Sequence, residues 1–173
     1  ELVARNSSSI PDLPGEESTP GGGDAADLLI PGENGIGPNV QIERTPEGIR
    51  MTIPHRVFFA PGRTELSGTG KGVLKKIGGV LNGGEYRENT VRVEGHTDDV
   101  PVNKVRDKYP TNWELSTARA CSVVRYLVGS AGVAKARIYP AGFADTRPVA
   151  GGKSVDSRQK NRRVEITILN QGA

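Results

Sequence analysis

The sequence predicts a two-layer α/β (α+β) sandwich, with helices packed on one face of a mixed β-sheet. Two patterns lead to this prediction. From about residue 40 onward, several short segments alternate apolar and polar residues, which is the period of half-buried strands. Other segments place apolar residues at every third or fourth position, as amphipathic helices do. After an initial hairpin the order is strand, helix, strand, helix, strand, short helix, strand, and this order favours a layered α/β domain.

Composition divides the chain near residue 38. Residues 1–38 hold five of the 12 prolines, a run of three glycines and a cluster of three serines. A segment of this kind buries too little apolar surface to offset its ordering entropy, so we expect a flexible linker. Its apolar patch, Ala25–Ile30, is the part that could form a short docked turn. Residues 39–170 are predicted to form the folded domain.

The domain is predicted to open with a hairpin. Val40 and Ile42 lie on one side of the turn Thr45–Gly48, and the alternating residues of 49–53 lie on the other. Val57–Phe59 follow a proline and are predicted to continue or restart the strand. A helix should come next, since six apolar residues recur at helical spacing: Leu66, Val73, Leu74, Ile77, Val80 and Leu81. Five glycines in this segment weaken it by up to ~1 kcal/mol each.

The second half of the domain contains clearer signals. Val91 and Val93 predict a short strand, and Thr111 with Glu114 forms a capping box at the start of the second helix. That helix carries one apolar face: Ala120, Val123, Val124, Leu127, Val128 and Ala131. Residues 138–142 predict a third strand. Asp156 is predicted to cap a short helix through residue 160, before a final strand with Val164, Ile166 and Ile168.

Composition also excludes several classes of function. The net charge is +3 and the pI about 9.1, which is too mildly basic to indicate nucleic-acid binding by charge. Cys121 is the single cysteine, so neither an internal disulfide nor a multi-cysteine metal site is expected. His55 and His96 are the two histidines, and they are too far apart in sequence to predict a metal site. No stretch approaches the ~20 apolar residues that span a bilayer, and because the chain begins at Glu1 we expect a targeting segment upstream.

The candidate chemistry lies in the loop His96–Asp99, directly after a strand. A metal site lacks further ligands, and a His–Asp catalytic pair lacks a nucleophile in a recognisable context. Two interpretations stay open: a solvated turn in which Asp98 caps backbone amides, or a site for a charged ligand. The second needs a cation, and Arg119 on the second helix offers one, although its spacing alone favours an ordinary surface arginine. Together the two side chains could bind the ammonium and carboxylate of one zwitterion.

A basic cluster lies near the C-terminus, formed by Arg158, Lys160, Arg162 and Arg163. No aromatic stacking platform accompanies it, and Glu165 follows at once, so nucleic-acid binding is not predicted. Cations at a helix C-terminus and ion pairs with Asp or Glu explain the cluster more simply.

Five blocks in order resemble the OmpA-like peptidoglycan-binding domain, over roughly residues 50–169. They are the segments 57–62 with Leu66, Gly95–Asp98, Leu115–Ala120, Gly142, and Asn161–Glu165. The long insert between Asp98 and Arg119, with Asn112–Ser116, and the segment 142–149 are similar to the branch of the family that contains the flagellar stator protein MotB. One departure is that Phe143-Ala144 replaces the usual Tyr-Gly.

The resemblance implies a non-catalytic module without cofactor or metal that binds the peptide part of the cell wall. Asp98 and Arg119 would bind the amine and the carboxylate of meso-diaminopimelate, while Thr97, Leu115 and Arg162 match motif positions near that pocket. Members of the MotB branch are homodimers in the periplasm, tethered to the inner membrane by one upstream transmembrane helix beside a stator channel partner. The alternative within the family is an OmpA- or Pal-like tether of the outer membrane.

Overall fold

The computed structural model describes residues 35–103 and 107–172. Most of the predicted linker, including the patch Ala25–Ile30, lies outside the described residues, so the linker stays a prediction. Residues 35–38 at its end contact the domain: Ile36 is 4% exposed within the core, and Lys76 Nζ donates a hydrogen bond to the Gly35 carbonyl at 3.2 Å. No described helix has the length and apolar character needed to cross a membrane.

Five strands form one mixed sheet in the order β1-β2-β5-β3-β4. The strands are β1 (Gln41–Thr45), β2 (Gly48–Pro54), β3 (Val91–His96), β4 (Ile138–Gly142) and β5 (Arg163–Leu169). Only the β3–β4 pair is parallel, and the other three pairs are antiparallel. The predicted sandwich is therefore confirmed, as is the opening hairpin, in which Thr45 pairs with Gly48 across a two-residue loop.

Within the described residues, four α-helices and one 3₁₀ turn connect the strands. They are α1 (His55–Phe58), α2 (Gly68–Leu81), α3 (Asn112–Gly129), the 3₁₀ turn Lys135–Arg137, and α4 (Val155–Asn161). Because α3 joins the parallel strands β3 and β4, its N-terminal half begins at the same edge of the sheet where β3 ends. This connection brings the loop after β3 close to the start of a helix.

The core lies between the sheet and the helices α2 and α3. Alternate residues of the three central strands face it, and the fully buried ones are Met51, Ile53, Val91, Val93 and Ile166. From the helices it receives Leu74, Ile77 and Leu81 of α2, and Ala120, Val123 and Leu127 of α3. The buried residues recur at every second position in the strands and about every 3.6 positions in the helices, as predicted. Helix α2 forms despite its glycines because one complete face of it is buried.

Two local predictions are wrong. Residues 57–58 do not continue the strand: β2 ends at Pro54, α1 follows, and Phe59 forms a single bridge with Leu66. A half-buried strand points successive side chains to opposite faces, whereas one helical turn buries Val57 and Phe58 together.

The cap of α4 is the second correction. The Ser154 side chain accepts the Ser157 N–H at 3.0 Å, and Asp156 lies inside the helix, paired with Lys160 at 2.8 Å. Serine and aspartate both serve as N-caps, so the sequence did not distinguish a cap at residue 154 from one at 156.

Candidate functional site

A pocket of about 410 Å³ opens at the edge of the sheet where β3 ends. All five residues singled out in the sequence line it: Thr97, Asp98, Leu115, Arg119 and Arg162. They come from three separate parts of the chain, namely the loop after β3, the first turns of α3, and the junction of α4 with β5. The structure shows that these residues share one pocket. Ligand binding by them remains a prediction.

Three features of α3 bring its side chains to this pocket. The predicted capping box is present, since Thr111 Oγ1 accepts the Trp113 N–H at 3.1 Å and Glu114 accepts the Thr111 N–H at 2.8 Å. Leu115 and Arg119 are four residues apart and therefore lie on one face of the helix. The backbone of α3 also lies very close to β3, because a Cβ on Gly95 would come within 2.2 Å of the Ser116 carbonyl oxygen.

The loop after β3 is held by hydrogen bonds from several directions. The Thr97 N–H donates to the Ala144 carbonyl at 2.8 Å, and its hydroxyl donates to the Asp98 carbonyl at 3.0 Å. Asn112 Nδ2 donates to the carbonyls of Asp98 and Val100 at 3.2 and 3.1 Å. Ala144 adopts φ 50°, a conformation that favours glycine. The usual family glycine is therefore replaced here without loss of the turn.

Asp98 already has partners for both carboxylate oxygens. Oδ1 accepts the Val100 N–H at 3.0 Å, and Oδ2 pairs with Arg162 Nη1. The sequence left open whether Asp98 caps backbone amides or offers a charge to a ligand. In the structure it caps one amide, and it is also a buried carboxylate, 7% exposed, that faces the pocket.

Arg119 is not the surface arginine that its spacing allowed, because only 5% of it is exposed. Its Nε donates to the Arg63 carbonyl at 3.2 Å, and the guanidinium lies 5.5 Å from the centre of the Phe59 ring. Among the residues that the structure describes, neither Nη1 nor Nη2 has a hydrogen-bond or ion-pair partner. A buried cation without a counter-ion is costly, and such groups concentrate at functional sites.

The electrostatics of the pocket follow from this burial. Burial, and then the charge of Arg162, lowers the pKa of Arg119 to about 10, so the side chain stays cationic at neutral pH. From its sequence position, His55 was considered only as a possible metal ligand. In the structure it lies on the pocket wall. Burial, followed by the charges of Arg119 and Arg162, lowers its pKa to about 4, which leaves it neutral. The lining therefore carries two guanidinium groups against one carboxylate, an excess of one positive charge.

The rest of the lining is largely apolar. Leu115 is buried in the wall, and Val100 and Pro101 of the insert after Asp98 also line the pocket. A wall of this kind suits the methylene groups of a small ligand whose charged end lies between Asp98 and Arg119.

The basic cluster near the C-terminus forms ion pairs, as predicted. Arg158 pairs with Asp99 at 2.8 Å, and Arg163 pairs with Glu165 at 2.5 Å. Together with the pairs Lys160–Asp156 and Arg162–Asp98, every member of the cluster has a carboxylate partner. The cluster is thus a set of internal contacts and not an open cationic surface.

His96 does not belong to the pocket. It is the last residue of β3, and its side chain lies on the sheet face opposite the helices, stacked on Phe143 with ring centres 5.6 Å apart. There it forms a buried cluster with Glu94 and Glu165, whose ligand atoms lie within 4.8 Å of one another, close enough to surround a metal ion.

The charges around this cluster oppose a metal ion. Four arginines already lie within 4.0 Å of the two carboxylates: Arg50, Arg92, Arg147 and Arg163. Burial, together with the neighbouring charge of Glu165, raises the pKa of Glu94. Since four cations already outnumber two carboxylates, a dication would meet net repulsion in a buried place. We therefore assign no metal to Glu94, His96 and Glu165.

Comparison with known proteins agrees with this fold. The model of the OmpA family matches residues 58–162. Motility protein B of Bacillus subtilis is 31% identical over 135 residues, covering 78% of this chain and 50% of that protein. The chain spans only about half the length of its Bacillus subtilis relatives, so the match does not assign the activities of those whole proteins to this chain.

Solved structures show the same relationship. A MotB-like protein of Desulfovibrio vulgaris superimposes with a TM-score of 0.72 and 30% identity, over 80% of this chain and 85% of that one. The cell wall anchor of the type VI secretion system of Pseudomonas aeruginosa has a TM-score of 0.67 and 34% identity, over 77% and 89%. The chain belongs to the OmpA family, and MotB-like periplasmic domains are among its structural neighbours.

Proposed function

We propose that this chain is a non-catalytic module that binds the stem peptide of peptidoglycan through meso-diaminopimelate. The main support is the buried guanidinium of Arg119, whose Nη1 and Nη2 have no partner among the described residues and which shares with Asp98 a pocket with apolar walls. A carboxylate would supply the missing counter-ion of Arg119 through two parallel hydrogen bonds. The adjacent ammonium of the same amino acid would bind Asp98, and its methylene chain would lie along Leu115.

Binding fits this pocket better than catalysis does. Thr97 carries the only hydroxyl among the described lining residues, and that hydroxyl donates to a backbone carbonyl and not to a base. The charges are instead fixed and complementary to a zwitterion, which is the arrangement that holds a ligand in place.

The module would serve in the periplasm to anchor a membrane complex to the wall. Similarity to motility protein B and to a MotB-like structure supports the flagellar stator as that complex, with an upstream transmembrane helix, a channel partner and a homodimeric arrangement. Sedimentation equilibrium tests the last point, and a monomer at tens of micromolar would contradict it. The second candidate is a tether outside the flagellar motor, because a type VI cell wall anchor is similar at 34% identity.

Co-sedimentation with purified sacculi tests wall binding directly. The wild-type chain should pellet with sacculi, and soluble meso-diaminopimelate should release it. Asp98→Ala and Arg119→Ala should each abolish pelleting, because each leaves one charge of the zwitterion unmatched. Lys160→Ala, which breaks an exposed ion pair within α4, is the matched control and should pellet normally. If both pocket variants pellet like wild type, the pocket is not the wall-binding site.

A further inference from the structure

Arg119 offers a ligand only part of its guanidinium group. Its Nε already donates to the Arg63 carbonyl at 3.2 Å, whereas Nη1 and Nη2 have no partner among the described residues. A guanidinium group can bind a carboxylate through Nε and one Nη, or through the two Nη nitrogens. With Nε in use, the pair Nη1 and Nη2 is left for a ligand. The direction in which that pair points therefore depends on where the Arg63 carbonyl lies.

The Arg63 carbonyl belongs to a loop, residues 60–65, that leads into α2. The residues that flank this loop pair in a single bridge, so its base is fixed. Its other part lines the pocket through Pro61 and Gly62. From elsewhere in the described chain, the side chains of Arg119 and Tyr109 form hydrogen bonds with the loop. These two side chains therefore decide how the loop is held against the pocket.

The contact of Tyr109 is a hydrogen bond between its hydroxyl group and Thr64 Oγ1, which lie 3.0 Å apart. Thr64 directly follows Arg63 in the chain and is only 7% exposed. The bond therefore holds a buried side chain next to the carbonyl that accepts the Arg119 Nε–H. A shift of Thr64 would move that carbonyl with it, because the two residues share one peptide bond.

The backbone of Tyr109 is constrained relative to α3. Pro110 follows Tyr109 and restricts it to extended conformations, and Thr111 then caps the helix. Because Arg119 lies on the same helix, α3 holds the loop at two neighbouring residues, through the Tyr109 hydroxyl and through the Arg119 guanidinium. Tyr109 is not one of the residues that line the pocket, so it would act through the loop and not by touching a ligand.

We infer that Tyr109 is a positioning residue for Arg119: its hydroxyl group holds Thr64, and thereby the Arg63 carbonyl, in the place that directs Nη1 and Nη2 of Arg119 into the pocket. A carboxylate then meets two N–H groups that are already aimed at it, which lowers the ordering cost of binding. This inference rests on the proposed function, since it names a residue that prepares the same pocket for the same ligand.

Removal of one hydroxyl group tests this role. Tyr109→Phe should weaken meso-diaminopimelate binding about three- to tenfold, the effect of losing one hydrogen bond that orients the site. Thr64→Val removes the other partner and should weaken binding equally, and the double variant should bind no worse than either single variant. Amide chemical shifts of the ¹⁵N-labelled chain follow the titration, and thermal melts establish that the variants fold. Tyr139→Phe, at an exposed tyrosine of β4, is the matched control and should bind like wild type.

A second measurement separates positioning from a general loss of structure. The Arg119 Nε–H gives a ¹⁵N-resolved signal, identified by its absence in Arg119→Met, and its exchange with water reports on the bond to the Arg63 carbonyl. In the free protein this exchange should be at least about tenfold faster in Tyr109→Phe and in Thr64→Val than in wild type. It should be unchanged in Tyr139→Phe, and the amides of the central strands should keep their wild-type protection in all variants.

Failure of either measurement would overturn the inference. Equal affinity of Tyr109→Phe and wild type would show that the hydroxyl group does not prepare the pocket, and unchanged Nε–H exchange would show that any loss of affinity has another cause. If wild type neither binds meso-diaminopimelate nor pellets with sacculi, the proposed function fails, and the role of Tyr109 in binding fails with it. Wild-type pelleting together with unchanged affinity and exchange in Tyr109→Phe would refute the role of Tyr109 alone.

Discussion

Asp98 and Arg119 are both buried in the pocket. The free-energy cost of burying their charges differs, because among the described residues only Asp98 has an ionic partner. Asp98 accepts hydrogen bonds from Val100 and Arg162, so its removal leaves a donor and a cation without their acceptor. Arg119 has lost most of its hydration without gaining a counter-ion from the part of the chain that the structure describes. Polar residues at element ends usually lie at the surface, whereas these two proposed binding residues are buried. Their substitution should therefore affect stability as well as binding.

Arg119→Met is predicted to increase stability while abolishing wall binding. Methionine fills most of the same volume without a buried charge, so the free energy of unfolding should rise by about 1 kcal/mol. Urea denaturation and sacculus pelleting measure the two effects. A variant that is less stable than wild type would show that the contacts of Arg119 with the Arg63 carbonyl and the Phe59 ring outweigh the cost of burying its charge.

Asp98→Asn is predicted to change both properties in the same direction. The amide keeps the shape of the carboxylate but removes the charge that holds Arg162. Stability should fall by about 1–3 kcal/mol, the net contribution of a hydrogen bond between charged groups. Unchanged stability by the same urea denaturation would mean that the Arg162–Asp98 pair contributes nothing to the free protein.

At the scale of elements, α2 shows how a glycine-rich segment forms a helix. Two of its glycines are required by close packing: a Cβ on Gly70 would lie 2.9 Å from the Phe58 Cα, and one on Gly78 would lie 2.4 Å from the Ala131 Cβ. Gly72 and Gly79 face solvent, and a Cβ there would meet nothing within 4 Å. Of the five glycines in α2, two therefore allow close packing, while Gly72 and Gly79 in its interior only weaken the helix.

Alanine substitutions separate these two kinds of glycine. Gly72→Ala and Gly79→Ala should each raise the free energy of unfolding by ~0.5–1 kcal/mol, because alanine restricts the unfolded chain and favours the helix. Gly70→Ala and Gly78→Ala should lower it, since the backbone would have to move. Chemical denaturation of the four variants tests the contrast, and a uniform effect across all four would contradict it.

The elements also show what sequence patterns can and cannot predict. The capping box of α3 was predictable because Thr111 and Glu114 interact locally, and the strands were predictable because their alternation reflects burial on one face. The burial of Arg119 was not, since its depth depends on Phe59 and Arg63, which lie far away in sequence. The placement of His96 on the opposite face of the sheet likewise depends on where β3 ends.

At the scale of the whole molecule, the two histidines couple stability to pH. Burial is the main cause that lowers the pKa of His55 and of His96 from 6.5 to about 4, and nearby arginines add to it. Between these values the unfolded chain binds protons that the folded chain does not. As far as these two histidines are concerned, the folded protein is therefore most stable above about pH 6.5, and its free energy of unfolding decreases as the pH falls toward 4.

The free energy of unfolding should thus decrease by about 2–4 kcal/mol between pH 7 and pH 5. Urea denaturation at a series of pH values measures this slope. The double variant His55→Gln/His96→Gln should have a much flatter slope over the same range, whatever its absolute stability. An equally steep slope in the double variant would assign the pH dependence to other groups.

The fold as a whole would suit the anchoring role proposed for this small charged site. The pocket is built where a strand end, a helix start and a helix–strand junction meet, so three parts of one core fix the positions of Asp98, Arg119 and Arg162. Residues held in this way pay little ordering entropy when a ligand binds. A force applied through the bound peptide would be transmitted to the central strands β3 and β5.

The pocket between Asp98 and Arg119 is proposed to bind meso-diaminopimelate. The most direct test is an amide chemical-shift titration of the ¹⁵N-labelled chain with that amino acid. Saturable shifts should be confined to the loop after β3, the first turns of α3 and the junction at Arg162, and Arg119→Met should abolish them. An absence of saturable shifts, or shifts centred on the opposite sheet face around His96, would contradict the account.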